Sequence, residues 1–77
     1  MNEKAIVEIL EEIVAPVIAV DGGEIELVSL DDQSQCVRVR FGGSYTGSPC
    51  RGIVLKYIVE PVLRDRVENL TAVEMVD

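Results

Sequence analysis

Two thiols, Cys36 and Cys50, are the strongest nucleophiles and softest ligands in a chain of 77 residues that contains no histidine. Without imidazole there is no Ser-His or Cys-His pair and no His-ligated zinc. Cys50 follows Gly42-Gly43-Ser44-Tyr45-Thr46-Gly47-Ser48-Pro49, the one stretch that looks built for a ligand. Its residues are small, and its glycines permit unusual backbone geometry. Ser48 as N-cap and Pro49 at the first helical position predict a helix opening there. The start of a helix favours an anion or a thiolate. Cys50 would lie in the first helical turn beside Arg51, either as a ligating or reactive thiol or simply as a small residue at a helix start. No base, acid or third group accompanies it, so a thiol enzyme is not expected. Cys36 belongs to an alternating stretch beside Arg38 and Arg40 and reads as inert. Asp21-Gly22-Gly23 reads as a helix stop. Asp31-Asp32 lacks the spaced partners of a calcium loop, and no Gly-Lys-Ser/Thr follows the glycines as in a phosphate-binding Walker loop.

The elements that would position Cys50 follow from hydrophobic periodicity. Residues 3–14 carry Ile6, Ile9, Leu10 and Ile13 at helical spacing, continued by Val17, with Lys4, Glu8, Glu11 and Glu12 opposite. Asn2 suits the N-cap and Glu3 the positive end of the helix dipole. Pro16 predicts either a stop near Val14 or a kink with the helix resuming through Val20. Residues 24–30 and 35–41 alternate, with a turn at residues 31–34, which predicts an antiparallel hairpin. Ile25, Leu27, Val37, Val39 and Phe41 would face the helices. Glu24 and Glu26 would pair with Arg38 and Arg40 on the open face, where Cys36 also lies. The helix after the loop places Ile53, Val54, Tyr57, Ile58 and Val62 at helical spacing, flanked by Leu55, Val59 and Leu63, with Pro61 as a second kink or end. Residues 70–76 read as a last strand. The expectation is one α+β domain over residues 1–77. It has two layers in the order α-β-β-α-β, with a three-stranded mixed sheet and two helices on one face.

Composition narrows the function classes. Fourteen acids against seven bases give a formal charge of −7, which argues against nucleic acid as a partner. The charge is polarised: nine acids and one base in residues 1–37 make −8, and the remaining residues make +1. No apolar run is long enough to span a bilayer, and two cysteines do not make a disulfide framework. No membrane association and a cytoplasmic location with reduced thiols are expected.

The chain resembles the NifU C-terminal, or Nfu, domain family over nearly its whole length. The resemblance rests on Pro16, then Asp21-Gly22-Gly23-Glu24-Ile25-Glu26-Leu27-Val28, Val37-Arg38-Val39-Arg40 and Gly43. It continues through Gly47, Pro49, Leu55-Lys56, Glu60, Leu63 and Val73-Glu74-Met75-Val76. It implies an α-β-β-α-β fold and a role in iron–sulfur cluster assembly. Members of that family act as scaffolds or carriers and hold a four-iron cluster between two subunits. Each subunit gives two cysteines from a Gly-x-Cys-x-x-Cys-Pro loop. In this chain Tyr45 and Ser48 occupy those two positions, and Cys50 lies two residues past the second. A cluster normally takes four thiolates. Cys36 is seven residues along the strand from Gly43, over about 20 Å at ~3.3 Å per residue, too far to share one site. The resemblance thus implies a non-enzymatic cluster assembly or delivery domain; Cys50, not equivalent to either family cysteine, is the candidate cluster or metal ligand from its place at the helix start. Its partners would be apo iron–sulfur proteins or the assembly machinery, and the domain would form a homodimer. The alternative is a domain that has kept the fold without the cluster and acts as a protein-interaction module.

Overall fold

The structure, a computed structural model, describes residues 2–76. The first helix spans residues 3–19 and opens at Asn2, whose side chain accepts the Ala5 N–H at 3.2 Å. It does not stop at Pro16 but resumes beyond it. Residues Leu10–Val14 form a π turn, closed by the Ala15 N–H on the Leu10 carbonyl, and α geometry resumes over Ala15–Ala19. Pro16 lacks an N–H and would crowd the carbonyl four residues back, and the wider turn accommodates both. The turn also sets the buried face. Ile6, Leu10, Val14 and Ile18 recur every four residues and are all buried. In a regular helix that spacing drifts by ~40° per step, and one π turn brings the later members back inward. Val17, expected on the core stripe, is exposed as a result.

The second helix, residues 51–66, repeats the device. Arg51–Val54 is α, Leu55–Val59 is a π turn closed by the Glu60 N–H on the Leu55 carbonyl, and Glu60–Arg66 is α, with Pro61 in its first turn. Val54, Val59 and Leu63 point into the core, whereas Ile53 and Tyr57, placed on the apolar stripe by α-helical spacing, are 63 % and 68 % exposed. From the end of the π turn onward Val59 and Leu63, expected only to flank the stripe, enter the core, while Val54 of the expected stripe stays buried. The helix also begins later than Ser48-Pro49 predicted.

The hairpin forms as expected, from β1 (Gly23–Asp31) and β2 (Cys36–Gly43). The third strand, β3 (Ala72–Met75), pairs parallel to β2, giving the order β1-β2-β3. Ile25 faces Phe41 and Leu27 faces Val39, but a bulge at Val28 moves Ser29 opposite Arg38 and Leu30 opposite Val37. The inward leucines, Leu27 and Leu30, are three apart, and the bulge absorbs the extra residue. Of the expected cross-strand ion pairs, Glu26–Arg40 forms at 2.9 Å. Arg38 instead reaches Glu74 on β3, at 3.5 Å, and Glu24 lies opposite Gly42. Both helices pack on one face of the sheet, around Val37, Val39, Phe41 and Val73. No helix among the described residues is long and apolar enough to cross a membrane.

Candidate functional site

Gly22 ends the first helix with φ +77°, and its carbonyl accepts the Ser44 N–H at 2.9 Å. That bond ties the loop after β2 to the turn before β1. Gly43 makes the approach possible: its φ is +60°, and a Cβ there would lie 2.3 Å from the Gly22 carbonyl. The chain then turns Tyr45 inward. Its ring is only 7 % exposed, packs edge-on to Phe41 with centroids 6.1 Å apart, and lies under Gly23. A Cβ at Gly23 would meet that ring at 2.8 Å, so glycine is required there by the tyrosine. The phenol donates to Asp21 Oδ2 at 3.1 Å. Burial pushes its pKa above the ordinary phenol value, and the bond to Asp21 and that carboxylate's charge add to the effect.

Ser48 and Cys50 form the other end of the loop. Ser48 Oγ accepts the Cys50 N–H at 3.2 Å and lies 2.9 Å from Cys50 Sγ. Cys50 itself occupies the N-cap position, with φ −77° and ψ −7°, not the first helical turn. Pro49 lies in the turn before it. Ser48 therefore caps a turn one step ahead of the helix, which displaces the predicted start. The Arg51 side chain donates through Nε to the Ser48 carbonyl at 3.0 Å, so this guanidinium braces the loop backbone. The Cys50 side chain is half-buried against the edge of the core.

Cys36 is on the sheet face away from the helices, as alternation requires, yet it is only 4 % exposed. Its thiol donates to Glu74 Oε1 at 2.9 Å. Burial first, then the Glu74 bond and charge, raise its pKa. The thiolate is disfavoured, consistent with an inert cysteine. β2 runs unbroken from Cys36 to Gly43, which keeps this thiol at the far end of the strand from the loop.

The structure therefore brings together Asp21, Gly23, Gly43, Tyr45, Ser48 and Cys50, and leaves Cys36 out. Local spacing places Asp21 and Gly23 in a helix stop, and they also carry part of the family resemblance. The cue that they belong to the loop was the hairpin register, which sets Gly23 opposite Gly43.

A family model described as NifU-like domain matches residues 6–74, a span that includes the whole loop. The chain belongs to the NifU-like domain family. It is 37 % identical over 69 residues to the nitrogen fixation protein NifU of Anabaena sp. (strain L31), covering 90 % of this chain and 60 % of that protein. It is 35 % identical over 67 residues to NifU-like protein 4, mitochondrial, of Arabidopsis thaliana, covering 87 % of this chain and 24 % of that protein. NifU-like protein 5, mitochondrial, of the same plant is 33 % identical over the same length. The chain thus spans about a quarter of the plant relatives. At the two positions where the resemblance implies ligands, Tyr45 has a phenol committed to Asp21 and Ser48 a hydroxyl engaged with Cys50. No group of three or more His, Cys, Asp or Glu side chains suited to a metal occurs among the described residues. One half-buried thiol per chain does not match the four thiolates of an ordinary cluster.

Proposed function

We propose that this NifU-like domain serves iron–sulfur cluster assembly by contacting the assembly machinery or apo recipient proteins, without holding an all-cysteine cluster of its own. The observation that supports this reading is Tyr45. It fills the first ligand position of the loop with a buried ring, and its hydroxyl is spent on Asp21. Replacing a ligand by a side chain that the core has absorbed makes the loop part of the packing. The domain is read as non-enzymatic because, among the described residues, Cys50 has a hydroxyl beside it and no general base bonded to it.

The test has two arms. Anaerobic reconstitution with iron and sulfide should give no more iron, and no more visible absorption, than the Cys50→Ser variant. A pull-down with the assembly proteins should recover them above an unrelated acidic domain of similar size, and equal recovery would remove the reading.

A second reading rests on Cys50 being only half-buried. The thiol would then be one ligand per chain, two in a homodimer, with the rest supplied by a partner or a small thiol. Iron in excess of the Cys50→Ser control would favour it over the first.

A further inference from the structure

We propose that the open edge of β1, over residues 23–27, docks an extended segment of a partner protein in which apolar and basic residues alternate. Among the described residues the sheet order gives β1 only β2 as a neighbour, so its outer backbone groups have no partner strand there. Such an edge pairs readily with another extended chain. Here the core is also incompletely closed beside it. Ile25 and Leu27 point toward the helices but are only partly buried. With Val7 and Leu10 of the first helix they wall a cleft of about 250 Å³, and Glu3 and Glu11 are on its helix side. On the opposite face of the strand, Glu24 and Glu26 are exposed and border a second depression of about 250 Å³, where Arg40 pairs with Glu26 and Glu24 supplies the acidic charge.

The two faces of the edge thus repeat with period two, acidic at Glu24 and Glu26, apolar at Ile25 and Leu27. An added strand has the same period. Its inward side chains would fill the cleft, and its outward side chains would lie opposite Glu24 and Glu26. Charge selects the occupant. A second copy paired through this edge would set those glutamates against their own equivalents, which is unfavourable, whereas lysines or arginines complement them. The bulge at Val28 ends the stretch that can pair. The site does not depend on what the loop carries, and the Cys50→Ser domain should bind equally well.

The probe is a capped octapeptide of alternating valine and lysine, titrated into the isotope-labelled domain. Two control peptides are alternating valine and glutamate, and a block of four valines followed by four lysines. Amide shifts should concentrate in residues 23–27 and in the first helix, with slowed exchange of the outward β1 amides, and should fade as salt is raised. The double variant Glu24→Lys/Glu26→Lys should lose the lysine peptide and gain the glutamate one. Glu24→Lys alone keeps the Glu26–Arg40 pair and carries the test should the double variant unfold. An equal response to the block peptide, shifts centred on residues 43–50, or self-association through β1 without peptide would each overturn the proposal.

Discussion

Tyr45 ties the loop after β2 into the core. It lies at a position where the resemblance expects a ligand, yet its surroundings are those of a core aromatic: Phe41 at its edge, Gly23 above it and Asp21 on its hydroxyl. Gly23→Ala should therefore overpack the site and lower stability by about 1–3 kcal/mol, read from urea unfolding. Replacing Tyr45 with a smaller residue in the same chain should relieve part of that cost. Titration gives a second handle. The pKa of Tyr45 and that of Cys36 are both raised in the folded protein. For groups that hold their protons more tightly when folded, stability is full below the unfolded pKa and is lost as pH rises through the folded one. The decline should begin above about pH 8.5 for the thiol and about 10 for the phenol. Melting temperatures measured from pH 7 to 11 should fall, and the fall should be shallower in Tyr45→Phe and in Cys36→Ala. Thiol labelling separates the two cysteines: Cys50 should react in the native protein and Cys36 only after unfolding.

At the scale of elements, the proline of each helix is matched to a π turn that ends two residues before it. The sequence shows the prolines, but whether such a helix stops, kinks or widens depends on what its far end can bury. Ile18 and Leu63, beyond the prolines, are buried, and their burial holds the helices together across the wider turns. A third device anchors β3. Arg64 donates through Nε to Glu60 at 2.9 Å, through Nη1 to the Leu70 carbonyl at 3.0 Å and through Nη2 to the Thr71 carbonyl at 2.9 Å. One planar guanidinium thus fixes the chain as it leaves the helix for the sheet. Arg64→Ala should cost about 1–2 kcal/mol and speed amide exchange in β3. Arg64→Lys should not recover the loss, because an ammonium cannot reproduce the planar fork.

For the molecule as a whole, 77 residues leave little margin. At ~0.05–0.15 kcal/mol per residue the total stability is about 4–12 kcal/mol. Leu63 is fully buried, and Leu63→Ala should remove roughly 2–5 kcal/mol, enough to leave part of the population unfolded at 37 °C, as read by thermal melting. The charge asymmetry has a place in space as well. The acidic half of the chain forms the first helix and β1, and these share the β1 edge. Arg51 and Arg64 of the second half bond backbone carbonyls, of the loop and of the segment leading into β3.

Local signals were enough for the element order, the hairpin parity, the Asn2 cap and the family resemblance, because each depends on residues near one another in the chain. They were also enough to mark the loop before the second helix and the replacement of both expected cysteines. The burial of Tyr45 and Cys36, the π turns, the Val28 bulge and the N-cap placement of Cys50 were not legible in the same way. Each results from a competition between distant groups for space or hydrogen bonds: Asp21 reaching Tyr45, Glu74 reaching Cys36, Ile18 and Leu63 reaching the sheet. Periodicity names the residues that can be buried. Only packing decides which of them are, and here it made Tyr45, where the resemblance implies a ligand, part of the core.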